Sequence, residues 1–131
     1  MLATLAIIPF LFSSCNRQAL PSFTLSTDGT EVSFNATRLN DVAFNLSWES
    51  TGGNVEVNTI YVQFAANKEF LNPYVLKSTG NSFVVTNRDL KKMQDEFGVK
   101  EDYQLQVRLL VEGEDVPSTY SNRVKIDVAW N

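Results

Sequence analysis

From Phe23 onward the chain alternates apolar and polar positions at a period of two, the spacing of strands with one buried face. Val42, Phe44, Leu46 and Trp48 fall on one side of such a run, with Asn45 and Ser47 on the other. Ile60, Val62 and Phe64 repeat the pattern against Tyr61 and Gln63. Between Tyr103 and Leu109 the odd positions read as inward, and Gln104, Gln106 and Arg108 as outward. The final run, Val124 to Val128, alternates apolar with charged residues. Shorter strands are predicted over Phe23–Leu25, Glu31–Phe34, Tyr74–Lys77 and Ser82–Val85. Turn residues separate them at Asp28-Gly29, Gly52-Gly53-Asn54, Gly80-Asn81 and Glu112-Gly113-Glu114. Several short strands at this spacing predict an all-β antiparallel sandwich.

One stretch breaks the period. Thr86, followed three residues later by Asp89, reads as a helix N-cap, and Leu90, Met93 and Phe97 then share one helical face. Gly98 supplies the C-terminal stop. One short helix is therefore predicted in the connection before the Tyr103 strand.

A different pattern precedes the strands. Leu2 to Phe12 is an uncharged apolar run, followed by Ser13, Ser14 and Cys15. It is too short for the ~20 residues a spanning helix needs, and it has the length of a signal-peptide core. Small residues directly before the cysteine resemble a bacterial lipobox, in which the cysteine is acylated and becomes the first residue of the mature protein. The resemblance implies a signal peptide over residues 1–14, a lipidated tether over 15–21 and a sandwich over 22–131. Two or more acyl chains hold such a protein stably on a membrane surface.

Composition removes whole classes of function. The length suits one domain. A net charge of -4 argues against a nucleic-acid partner, which would need a clustered basic surface. The single cysteine excludes an internal disulfide, so stability must come from the apolar core. There is no histidine, which removes the commonest general base and the usual metal ligand. Glu112, Glu114 and Asp115 cluster in one loop, and Asp95, Glu96, Glu101 and Asp102 in another stretch. Glycosidases use paired carboxylates, but acids in loops beside Lys and Gly read as solvated. No enzyme activity, cofactor or metal is expected.

Three landmarks carry a family resemblance. Leu46-Ser47-Trp48 ends an early strand, where fibronectin type III and immunoglobulin-like sandwiches keep a core tryptophan. Tyr103-Gln104-Leu105-Gln106-Val107-Arg108 follows a crossover and resembles the tyrosine corner, whose hydroxyl bonds to upstream backbone. Tyr120 to Ile126 leads into a last strand. With the Cys15 leader, this order resembles the N-terminal domain of SusE/SusF-type outer-membrane lipoproteins of Bacteroidetes. Phe23-Thr24-Leu25, Tyr61-Val62-Gln63-Phe64 and Phe97-Gly98-Val99 match it as well.

That resemblance implies a lipid-anchored outer-membrane domain, bound to the membrane through Cys15. It would act as a spacer or scaffold in a starch-like glycan uptake system, beside SusC/SusD-like transporter components. Polysaccharide would be held by modules C-terminal to this domain, and the sequence stops at Trp130-Asn131, where the last strand is expected to end. A protein–protein adhesion or assembly module pairing through a strand edge is the alternative.

Trp48 shares its face with Phe44 and Leu46, so it is expected in the core, and Tyr103 is expected to be a structural corner. Tyr61, outward by parity, and Trp130, at the chain end, are the aromatics to consider for ligand contact. Parity puts no two aromatics at sugar spacing on one outward face. The sandwich itself is therefore expected not to bind glycan.

Overall fold

The computed structural model describes residues 18–130, so the predicted signal peptide and Cys15 lie outside the described residues. The elements run β1 (Ser22–Thr27), β2 (Glu31–Phe34), β3 (Val42–Thr51), β4 (Val57–Ala65), β5 (Tyr74–Ser78) and β6 (Ser82–Thr86). Then follow α1 (Asn87–Phe97), β7 (Tyr103–Gly113), β8 (Thr119–Tyr120) and β9 (Val124–Trp130). They build an all-β sandwich with one short helix. One sheet has the order β1-β3-β6; the other runs β2-β9-β7-β4-β5, with β8 paired to β7. Neighbours are antiparallel except β2 and β9, which pair in parallel from Glu31↔Asp127 to Phe34↔Trp130.

The inward faces close on each other as the alternation predicts. Phe44, Leu46 and Trp48 of β3 meet Val62, Phe64, Leu105, Val107, Leu109 and Ile126 of the larger sheet in one buried cluster. Trp48 is 4% exposed. Phe64 and Phe83 tilt against each other across the gap, with ring centroids 6.4 Å apart. Val42 departs from its predicted face and is 54% exposed. The register of β3 against β6 slips between Val42 and Phe44, and such a bulge turns the residues beyond it. Gly113 also departs: it ends β7 rather than forming the turn.

The helix forms where its caps are. Thr86 Oγ1 accepts from the Asp89 amide at 3.3 Å, and the Asp89 carboxylate accepts from the Thr86 amide at 3.0 Å. This capping box satisfies two donors that the first turn leaves open. Leu90 and Met93 are buried on the inner face, and Gly98 ends the helix at φ 71°, in the left-handed region. No helix among the described residues is long and apolar enough to cross a membrane.

The two ends of the described chain lie at opposite ends of the sandwich. Ala19 exchanges hydrogen bonds with Asn54 in the β3–β4 turn, and Leu20 packs at Gly113, the last residue of β7. Trp130 instead donates its amide to Asp102, beside the first residue of β7, at 2.8 Å. Ten residue steps of β7 separate Tyr103 from Gly113. At the rise of a strand that distance is about 33 Å.

Candidate functional site on the outward face of the larger sheet

The register of β4, β5, β7 and β8 decides which side chains share the solvent side of the larger sheet. Tyr61 pairs with Lys77 on one flank and Leu110 on the other, and Leu110 pairs with Tyr120. Directly opposed residues point to the same face. Lys77, Tyr61, Leu110 and Tyr120 therefore form one row across four strands. The next row holds Val75, Gln63 and Arg108. Tyr61 is half-buried and Tyr120 is 53% exposed.

This corrects the expectation that no outward face carries two aromatics. Tyr61 and Tyr120 are two strand spacings apart, about 10 Å. Tyr120 escapes sequence reading because β8 is only two residues long, too short to show a period. The turn at residues 114–116 folds it back onto β7.

Arg108 organises the centre of the face. Its guanidinium carbon lies 4.1 Å from the Phe70 ring centroid and 3.9 Å from that of Tyr120, so the cation is held between two rings. Its Nε donates to Gln63 Oε1 at 2.8 Å. Arg123 also stands over Phe70, 5.1 Å from the ring centroid, and donates to the Lys68 carbonyl. Burial pushes the Arg108 guanidinium below its ordinary value; the phenol of Tyr120 opposes that shift and the Arg123 charge adds to it.

The loop after β4 supplies Phe70. Asn67 accepts the Phe70 amide on its carbonyl at 3.3 Å and the Leu71 amide on Oδ1 at 2.9 Å. These bonds hold Phe70 at φ 54° and place its ring, otherwise buried, against Arg108. Positive φ is uncommon for a bulky residue, so the surrounding contacts must fix it. Gln106 points outward by parity but is 4% exposed, paired to Gln104 Oε1 at 2.8 Å.

The other expected site residues lie elsewhere. Trp130 is half-buried at the far end of the sheet, its ring centroid 5.0 Å from Phe34. There it bounds a cavity of about 450 Å³ together with Lys91, Gln94 and Lys100. Tyr61 and Trp130 are thus not brought together. Tyr103 places its hydroxyl 3.0 Å from Gln94 Nε2, a side-chain donor on α1 where the corner resemblance implies a backbone partner. Burial raises the Tyr103 phenol above its ordinary value, and the Gln94 bond partly offsets this.

No curated protein matches the chain. The family model described as SusE outer membrane protein matches residues 14–110, a span that runs through Cys15, Tyr61, Arg108 and Leu110. That span covers most of the sequence and ends on the row just described, so the chain belongs to the SusE outer membrane protein family.

Proposed function

We propose that this chain is a lipid-anchored spacer of the outer membrane, held by acylated Cys15, that carries glycan-uptake machinery away from the bilayer and performs no catalysis. It would work beside SusC/SusD-like transporter components. The observation that supports this reading is the placement of the two described ends. Residue 18 and residue 130 are separated by the long axis of the sandwich. A tether to Cys15 would leave from the end that holds residue 18, and a chain continued beyond Trp130 would leave from the other.

The tether end of the sandwich is acidic. Glu56, Glu114 and Asp115 surround Gln18 there, with Asn54 and Asn58. The absence of histidine from the sequence supports a non-catalytic role.

Two measurements test the proposal. Cys15→Ser should move the protein from the membrane to the soluble fraction; retention in the membrane after leader cleavage overturns the anchor. In vesicles carrying the acylated protein, a fluorophore at Asp115→Cys should be quenched by lipid-borne acceptors far more than one at Lys100→Cys. Equal quenching at the two positions overturns the spacer.

A further inference from the structure

We propose that the outward face of the larger sheet is itself a binding site for a uronate-containing oligosaccharide, centred on Arg108 and Tyr120. The proposal rests on the glycan-uptake reading and names the chemical class of its ligand. Two independent features of the face carry it: a pair of aligned tyrosines and a concentration of unpaired cations.

The tyrosines supply a platform. Tyr120 has one face against the Arg108 guanidinium, 3.9 Å from its ring centroid, while the residue remains 53% exposed. A ring fixed from behind loses little rotamer freedom when a ligand stacks on its front. Tyr61 continues the platform along the same row, with Leu110 between the two. Their separation of two strand spacings, about 10 Å, is the span of a disaccharide.

The cations select the ligand's charge. The ion pairs among the described residues are Arg38–Asp41 and Lys91–Asp95, so Arg108 and Arg123 have no carboxylate partner there. Lys77 stands at the end of the tyrosine row, and Lys125 faces the same side through its pairing with Gln106. The acids of this face, Glu31, Glu112 and Asp127, lie toward its ends, and Asp127 already accepts from Gln104 at 3.2 Å. In a chain of net charge -4, this is a positive centre left without an internal counter-charge. A planar guanidinium with free η nitrogens matches a carboxylate in a forked geometry. The sugar stacked on Tyr120 has that ring between itself and Arg108, so the C6 carboxylate that meets Arg108 would belong to the neighbouring sugar, over Leu110, two residues along β7.

Calorimetric titration of the full chain in detergent micelles, with an oligogalacturonate as the probe, tests the site. Binding should weaken with salt, as it does for partly exposed charge pairs. Arg108→Gln and Tyr120→Ala should each weaken it about tenfold or more, the effect of losing one charge-assisted contact or one stacking surface. Lys92→Gln, on the helix, should leave it unchanged. If Arg108→Gln fails to fold, amide shifts of the wild-type chain during titration take its place and should centre on Arg108, Tyr61 and Tyr120. Equal affinity for maltohexaose, binding of poly-glutamate in place of the sugar, or no binding of oligogalacturonate each overturns the proposal. Membrane fractionation of the same preparation reports on the anchor separately. A chain that stays with the membrane but ignores oligogalacturonate ends this inference and leaves the spacer reading standing.

Discussion

Asn122 holds both backbone polar groups of Leu25: its Oδ1 accepts the Leu25 amide at 2.7 Å, and its Nδ2 donates to the Leu25 carbonyl at 3.0 Å. Leu25 lies on β1, at the edge of the smaller sheet, while Asn122 lies between β8 and β9 of the larger one. One side chain thus fastens the two sheets together and covers an open strand edge.

Asn122→Ala should therefore destabilise the fold more than a typical surface change. It leaves a donor and an acceptor of β1 unpaired, each at about 1–3 kcal/mol where water cannot reach them. Chemical denaturation measures the loss; an unchanged midpoint would show that the edge is satisfied by water.

Trp48→Ala should cost about 3–5 kcal/mol, the usual loss on truncating a large buried side chain. Ser47→Ala, at the exposed outward position beside it on β3, should stay within about 0.5 kcal/mol of wild type. Gln106 is unsuited to serve as that control, because it is buried on the outward side. Equal denaturation midpoints for the Trp48 and Ser47 variants would refute the core assignment.

Gly53→Ala should loosen the point where the tether meets the sandwich. A Cβ at Gly53, where φ is +78°, would come 2.4 Å from the Pro21 nitrogen, and backbone there cannot yield cheaply. The expected outcome is faster proteolysis near residues 18–21 together with a lower denaturation midpoint. An unaltered cleavage pattern would mean the segment is held by other contacts.

Asp28 gives the fold a defined response to acid. The backbone amide of Asn45 donates to its carboxylate at 2.7 Å and the Asn45 side chain at 2.7 Å, holding the Asp28 carboxyl below its ordinary value. A carboxyl depressed in the folded state contributes stability above its unfolded pKa of about 3.9 and loses it as pH falls through the folded value. Wild type should therefore exceed Asp28→Asn in stability at pH 7 and converge with it below about pH 4. Denaturation midpoints at both pH values check this; a constant gap would exclude Asp28 as the titrating group.

The strands from Phe44 to Trp48 and from Tyr103 to Leu109 are legible in sequence because one face of each packs on the core, which imposes a period of two. The helix is legible because Thr86, Asp89 and Gly98 are local signals with local partners. What escapes is decided between distant segments. The bulge that exposes Val42 depends on pairing with β6. The parallel contact of β2 with β9 joins residues nearly a hundred positions apart and leaves no periodic trace. The outward site depends on Phe70 turning back from a loop onto Arg108, and on Tyr120 being paired at all. Parity places Tyr61 outward, but it cannot supply the neighbour that makes the position useful.

The parallel pairing of β2 with β9 also fixes an order of events in folding. Among the described residues β2 has no other strand partner, and β9 is the last strand. A nascent chain that has not reached residue 130 therefore cannot seat residues 31–34, however long the earlier segment has waited. Until β9 slides between β2 and β7, both flanking strands present bare edges that can template association with other chains. Sheet closure then awaits contacts of high sequence separation, which fold slowly. Premature termination after Tyr120 would leave an adhesive half-product rather than a smaller stable domain.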